Sequence, residues 1–171
     1  MDDIFFAVLP DLEAKARIAR LAQEHGLPGS AVAPARLHVS LHWVGDHATP
    51  ADATEAAKRA AGAVDMACFR IAFDRVQSFS GRQQVPIVLA GGDELVGLLM
   101  LREMLADRLK CRVKSGFTPH LTFLYSDHEI PELVITPISW IVRELVLLRS
   151  RRSQDRHDQL GRWALPKGAI G

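Results

Sequence analysis

Three segments of the chain repeat apolar residues with the 3.6-residue period of an amphipathic helix. They are Leu12–Glu24, Ala51–Ala63 and Glu94–Lys110. The first follows Asp11 and the second follows Thr49-Pro50. Asp and Thr are favoured N-cap residues, and proline fits the first position of a helix. The pattern therefore predicts three helices, and the residues before the first two define where those helices start.

Other segments alternate apolar and polar residues or form short apolar runs, as strands do. They are Ile4–Leu9, Arg36–Gly45, Phe69–Phe79, Val85–Ala90, Phe117–Tyr125, Ser139–Ser150 and Arg156–Leu165. The third and fourth of these are close enough to form a hairpin, whereas Pro131 and Pro137 bound a stretch that we expect to be irregular. About seven strands mixed with three helices predict an α+β fold with a mainly antiparallel sheet.

Composition narrows the class of protein. The 171 residues are 48% hydrophobic and 24% charged, with a net charge of +1, so any binding of phosphate must come from a local site. The two cysteines, Cys68 and Cys111, lie far apart, and we expect them to be reduced. The N-terminus lacks the features of a secretory signal, and no apolar run reaches the ~20 residues of a membrane span. These features predict a cytoplasmic protein.

The strand Arg36–Gly45 has one apolar face and one face that carries chemistry. Residues two apart share a face of a strand. This places Leu37, Val39, Leu41 and either Trp43 or Val44 on one side, and His38, Ser40 and His42 on the other.

The pattern of this strand occurs a second time in the chain. Leu37–Trp43 reads His, apolar, hydroxyl, apolar, any residue, aromatic from His38 onward, and Pro119–Tyr125 repeats that order from His120, 82 residues later. If the two half-chains are related by an approximate twofold axis, His38, Ser40, His120 and Thr122 converge on one cleft.

Two imidazoles in one cleft suit acid–base chemistry, because the unperturbed pKa of histidine is near ~6.5. One histidine then acts as general base and the other as general acid. The hydroxyls of Ser40 and Thr122 donate hydrogen bonds to anionic oxygens without adding charge. A phosphodiester, cleaved by in-line attack of water, is the substrate that fits this arrangement.

Other chemistries are less well supported by the sequence. His38 and His42 are too far apart on a strand for one metal ion, and no HExxH motif accompanies them. Ser40 lacks a nucleophile elbow, and no nucleotide-cofactor motif is present. We therefore expect no metal and no cofactor. A binding module that holds a nucleotide or RNA end without turnover remains the alternative from another class.

The paired motifs resemble the signature of the two-histidine (2H) phosphoesterase superfamily, and within it the RNA 2′,3′-cyclic phosphodiesterases often labelled "2′-5′ RNA ligase". The likeness extends from Ile4–Val8 to Leu160–Leu165. It implies one bilobal α+β domain over residues 1–171, with two pseudo-symmetric lobes of mainly antiparallel sheet, helices outside and an active-site cleft between them.

The resemblance also implies roles for the motif residues. His120 would activate water, His38 would protonate the departing 3′ oxygen, and Ser40 and Thr122 would hold the phosphoryl oxygens. Trp43 would stack on a base. The substrate would be RNA with a 2′,3′-cyclic phosphate end, or a nucleoside 2′,3′-cyclic phosphate, and the product would carry a 2′-phosphate. We expect the protein to be a monomer that does not act at a membrane. Weak reverse joining through a 2′-5′ linkage is implied as well.

Two positions depart from the family pattern and remove positive charge. Tyr125 stands where many members carry a phosphate-binding Arg, so we expect it to donate one hydrogen bond to phosphate. His42 replaces another frequent Arg. The basic residues that could compensate are Arg82, Arg149, Arg151 and Arg152. These departures leave open another small phosphodiester as substrate.

Overall fold

The computed structural model describes residues 3–45, 47, 49–80, 83–151 and 156–168. Its three helices are α1 (Leu12–Glu24), α2 (Pro50–Gly62) and α3 (Val96–Leu109). Each lies where the apolar pattern predicts it. The Asp11 carboxylate accepts the Ala14 amide at 2.8 Å, and the Thr49 hydroxyl oxygen accepts the Asp52 amide at 3.1 Å, so both predicted N-caps form.

The strands of the described residues form one mainly antiparallel sheet. They are β1 (Asp3–Val8), β2 (Ser30–Ala31), β3 (Val39–Trp43), β4 (Phe69–Ser78), β5 (Val85–Ala90), β6 (Leu121–Ser126), β7 (Leu133–Val142), β8 (Glu144–Ser150) and β9 (Asp158–Ala164). The spatial order is β7-β4-β5-β6-β3-β1-β8-β9, with β2 paired to β6. The predicted hairpin of β4 and β5 is confirmed.

Two four-stranded halves meet at the centre of this sheet. β6, β5, β4 and β7 make one half, and β3, β1, β8 and β9 make the other. One residue pair, Val39 with Leu121, joins β3 to β6. The predicted bilobal α+β fold is therefore confirmed, and the seam between the lobes runs between the two histidine motifs.

The segment from Pro131 to Ser150 differs from the prediction. The stretch around Pro137, expected to be irregular, lies inside β7, and Ser139–Ser150 is the end of β7 followed by β8 rather than one strand. β7 is an edge strand, and its register with β4 shifts between Phe73 and Arg75. A proline is tolerated in a strand at such an edge or bulge. The presence of Pro131 and Pro137 was therefore not sufficient reason to expect an irregular segment.

The half of the sheet formed by β3, β1, β8 and β9 has apolar side chains on both of its faces. Phe6 and Val8 of β1 belong to the main core, whereas Ala7 packs with Val146 and Leu148 in a separate small cluster on the other face. Phe5 lies against this second cluster. Through Phe5, this second face contacts the ring of His38, the first motif histidine.

No helix of the described residues is long and apolar enough to cross a membrane.

Candidate active site

The pairing of β3 with β6 brings the two motifs together. Val39 and Leu121 face each other in antiparallel register and are fully buried. Continuing this register by one residue on each side sets His38 opposite Thr122 and Ser40 opposite His120. Residues opposite each other in antiparallel strands have Cβ atoms about 5 Å apart and share a face. The four side chains predicted to converge therefore line one cavity, together with Tyr125.

A one-residue bulge follows each motif at the same position. Against β1, Ser40 pairs with Ala7 and His42 with Phe6, which leaves Leu41 as the extra residue. Against β5, Thr122 pairs with Val88 and Leu124 with Ile87, which leaves Phe123 as the extra residue. A bulge reverses the in–out alternation of the residues after it.

The bulges place the two motif aromatics on the cleft side. Trp43 is 49% exposed and Tyr125 is 41% exposed, whereas Val44 and Leu124 are buried. The prediction that Trp43 or Val44 joins the apolar face is thus settled in favour of Val44. The prediction that His42 shares a face with His38 is wrong, because His42 pairs with the core residue Phe6.

Both motif histidines have the same tautomer. Nδ1 of His38 lies 2.6 Å from the carbonyl oxygen of Arg36, and Nδ1 of His120 lies 2.8 Å from that of Thr118. A carbonyl oxygen only accepts, so Nδ1 carries the proton and donates it in each case. The two rings are thereby oriented by equivalent bonds, and in this tautomer Nε2 is the nitrogen of each ring that can accept a proton.

Aromatic rings also hold the two histidines. Phe5 packs beside His38 with ring centroids 5.3 Å apart, and Phe79 packs edge-on against His120 at 4.7 Å. His38 has a further neighbour, because the ring of His157 meets it edge-on at 4.9 Å. This ring contact between His38 and His157 departs from the twofold similarity of the two motifs.

Burial makes the first-motif side less basic than free imidazole. It lowers the pKa of His38, and the positive charges of Arg36 and His120 lower it further. Burial, with the charges of His38 and Arg36, lowers the pKa of His157 to about 4. Nε2 of His157 is buried without a hydrogen-bond partner in the described residues. His157 is therefore a neutral neighbour of His38 at neutral pH.

The motifs line two cavities that share a wall. The first, of about 390 Å³, contains both histidines, both hydroxyls, Tyr125, Arg36 and the backbone around β2. The second, of about 640 Å³, continues past His38, Ser40 and His157 towards Trp43. Both volumes fall within the range of small-molecule sites.

Several residues that line these two cavities were not predicted from the sequence. Arg36 lines the first cavity, His157 lines both cavities, and Arg102, Arg112 and Lys114 line the second. The position of Arg36, two residues before His38, was the one local signal. The others come from distant segments and share no spacing with the motifs.

The arginines that could have replaced the missing positive charge of the family pattern do not line either cavity where the structure describes them. Arg149 donates to the Asp158 carboxylate at 2.8 Å, and Arg151 lies 2.9 Å from the same carboxylate. Arg82 and Arg152 lie outside the described residues. Positive charge in the first cavity comes instead from Arg36. Among the described residues, no group of three or more His, Cys, Asp or Glu side chains is placed to hold a metal ion.

Two His-x-hydroxyl motifs facing one cavity across a twofold seam define a 2H phosphoesterase. The chain belongs to the 2′-5′ RNA ligase superfamily, whose family model matches residues 10–154. The comparison with curated proteins gives no match.

Solved structures share the fold over almost the whole chain. LigT of E. coli in its apo form is 23% identical with a TM-score of 0.76, and the match covers 97% of this chain and 98% of that one. A protein described as a phosphoesterase is 25% identical with a TM-score of 0.76, over 98% and 100%. A protein of Thermus thermophilus is 19% identical with a TM-score of 0.73, over 96% and 98%.

Proposed function

We propose that this phosphoesterase hydrolyses 2′,3′-cyclic phosphate ends of RNA, or nucleoside 2′,3′-cyclic phosphates, to 2′-phosphates. The observation that carries the proposal is the pair of equivalent histidines, each with Nδ1 bonded to a carbonyl oxygen and a hydroxyl residue opposite it in register. Binding alone requires neither an acid nor a base, so this pair favours an enzyme over a binding module.

The reaction uses the Nε2 atoms of the two motif histidines. Nε2 of His120 takes a proton from water as the water oxygen attacks phosphorus. The bond between phosphorus and the 3′ oxygen breaks in line, and Nε2 of His38 gives its proton to that oxygen. Ser40 and Thr122 donate hydrogen bonds to the non-bridging oxygens, and Tyr125 adds a third donor. Water and a cyclic diester thus become a 2′-phosphate monoester and a 3′ hydroxyl.

The lowered pKa of His38 sets a condition on this assignment. An acid must be protonated when the leaving group departs, and burial disfavours the charged imidazole. A phosphate anion beside the ring reverses that effect, since an opposite charge favours the protonated form. The proposal therefore expects His38 to gain its proton on substrate binding.

The remaining parts of the proposal concern context. One chain supplies both motifs, so the protein acts as a monomer, and an RNA substrate is consistent with a cytoplasmic location. The same site joins a 5′ hydroxyl to a cyclic phosphate in reverse, but only weakly because water is in large excess.

The test uses purified protein, EDTA and two substrates, adenosine 2′,3′-cyclic phosphate and a short RNA with a cyclic phosphate end. We expect a 2′-phosphate product by chromatography and a bell-shaped pH profile. His38→Ala and His120→Ala should each lower kcat by ~10²–10⁴-fold.

His25→Ala is the matched control, because His25 is exposed and bonds through its backbone amide at the end of α1. Its rate should equal that of the wild type. Intact cyclic ends after incubation, or wild-type rates in either motif variant, would overturn the proposal.

A further inference from the structure

The second cavity carries positive charge that the hydrolysis of a cyclic phosphate does not use. Arg102, Arg112 and Lys114 line it, and among the described residues of its lining Asp3 supplies the single carboxylate. The first cavity already contains both histidines and both hydroxyls needed at the reacting phosphorus. The charge in the second cavity therefore has to be explained separately.

Arg102 is the most informative of these cations. Its side chain rises from α3, the residue is 8% exposed, and Nε donates to the carbonyl oxygen of Leu41 at 3.0 Å. Its guanidinium lies over the Phe117 ring, 4.2 Å from the centroid. The carboxylate of Glu103 favours its charge, but no carboxylate of the described residues lies within salt-bridge distance of Arg102, although a buried cation normally requires an anionic partner.

The bond from Arg102 to Leu41 has a structural purpose, since Leu41 is the bulged residue of β3 and its carbonyl oxygen needs a donor. That bond accounts for one of five guanidinium donors. It does not account for Arg112 and Lys114, which are exposed and line the same cavity. Three cations in one cavity point to an anionic ligand.

We propose that the cationic side of the second cavity, formed by Arg102, Arg112 and Lys114, binds the phosphodiester on the 5′ side of the terminal nucleoside of RNA. The inference rests on the proposed function. The two cavities share His38, Ser40 and His157, so a substrate held at the histidines extends directly into the second one. Trp43 lies along that path and offers a ring to the nucleobase.

This subsite makes the enzyme selective for RNA ends over nucleoside cyclic monophosphates. The latter present a single phosphate and leave the three cations without a ligand. An RNA end presents its cyclic phosphate to the histidines and its next phosphate to the cations. Charge-assisted bonds to that phosphate add to affinity for the substrate and for the product.

Product binding tests the subsite without turnover. Isothermal titration calorimetry compares adenosine 2′-phosphate with an adenosine dinucleotide that ends in a 2′-phosphate. We expect the dinucleotide to bind at least ~10-fold more tightly to the wild type. The double variant Arg112→Ala/Lys114→Ala should remove most of that preference.

The matched control is Arg59→Ala/Arg108→Ala. It removes the same net charge from exposed positions on α2 and α3 that line a different cavity, and it should keep the full preference. Equal affinity of the two ligands for the wild type, or an undiminished preference in Arg112→Ala/Lys114→Ala, would overturn the subsite. Preference for the dinucleotide with no hydrolysis of cyclic ends would support the subsite and reject the proposed function.

Discussion

His157 makes the stability of the fold depend on pH. Its pKa is lowered from 6.5 to about 4 in the folded chain, with burial as the largest cause. Below pH 6.5 the unfolded chain binds a proton at this residue, whereas the folded chain does not until pH approaches 4. The free energy of unfolding therefore falls as the pH drops from 6.5 to 4.

The size of this effect follows from the pKa difference. At 1.36 kcal/mol per unit, a drop from 6.5 to about 4 corresponds to at most ~3.4 kcal/mol. The ring is only partly buried, and solvent screening reduces this to about 1–2 kcal/mol. His38 contributes in the same direction, since its pKa is lowered too.

His157→Phe isolates the contribution of His157. A phenyl ring keeps the edge-on contacts with Phe5 and His38 and carries no proton. We expect the loss of stability between pH 7 and pH 4.5, measured by urea unfolding, to be smaller in this variant by about 1–2 kcal/mol.

His25→Phe serves as the control for the substitution itself, because His25 is exposed. It should lose stability with falling pH as the wild type does. The reasoning is refuted if His157→Phe shows the wild-type pH dependence.

Three further predictions concern the cleft, the core and the reaction. Trp43→Ala should raise KM for base-containing substrates more than it lowers kcat, because half-exposed Trp43 borders the second cavity. Gly97→Ala should lower the free energy of unfolding by ~1–3 kcal/mol in urea, since its new Cβ would clash with the Phe69 ring at Cδ2. Hydrolysis should proceed at the same rate with and without EDTA, as expected if the two histidines act without a metal.

Each of these has a clear contrary result. An unchanged KM would remove Trp43 from the substrate site. Wild-type stability of the Gly97 variant would mean that α3 and β4 are less tightly packed than the contact with Phe69 indicates. Activity lost in EDTA and restored by zinc would replace the metal-free mechanism.

The sequence predicted what depends on local periodicity. The limits of α1 and its Asp11 cap follow from helical spacing, and the duplicated motif was visible because its residues lie close together in the chain. The two bulges were not visible, because a bulge is defined by the partner strand. Without them, strict alternation placed Trp43 and His42 on the wrong faces.

The residues around the motifs were beyond the sequence for a similar reason. His157 reaches the cleft from the residue before β9 and Arg102 reaches it from α3, so their positions depend on the packing of whole elements. Tyr125 was proposed as a phosphate donor because it stands where many family members carry an Arg. The equal bulges at Leu41 and Phe123 explain why an aromatic five residues after each histidine reaches the same cleft.

The seam at Val39 and Leu121 also raises a question of orientation. A symmetric site can receive an asymmetric substrate in two directions, and in one of them the acid and the base exchange places. Here the symmetry is broken by Arg36, His157 and the cations of the second cavity, which adjoin the first motif, and by β2, which pairs with the second-motif strand β6. Under the proposed function, we expect this asymmetry to favour one direction of the substrate, and so to distinguish the acid from the base although the bonds of the two histidines are alike.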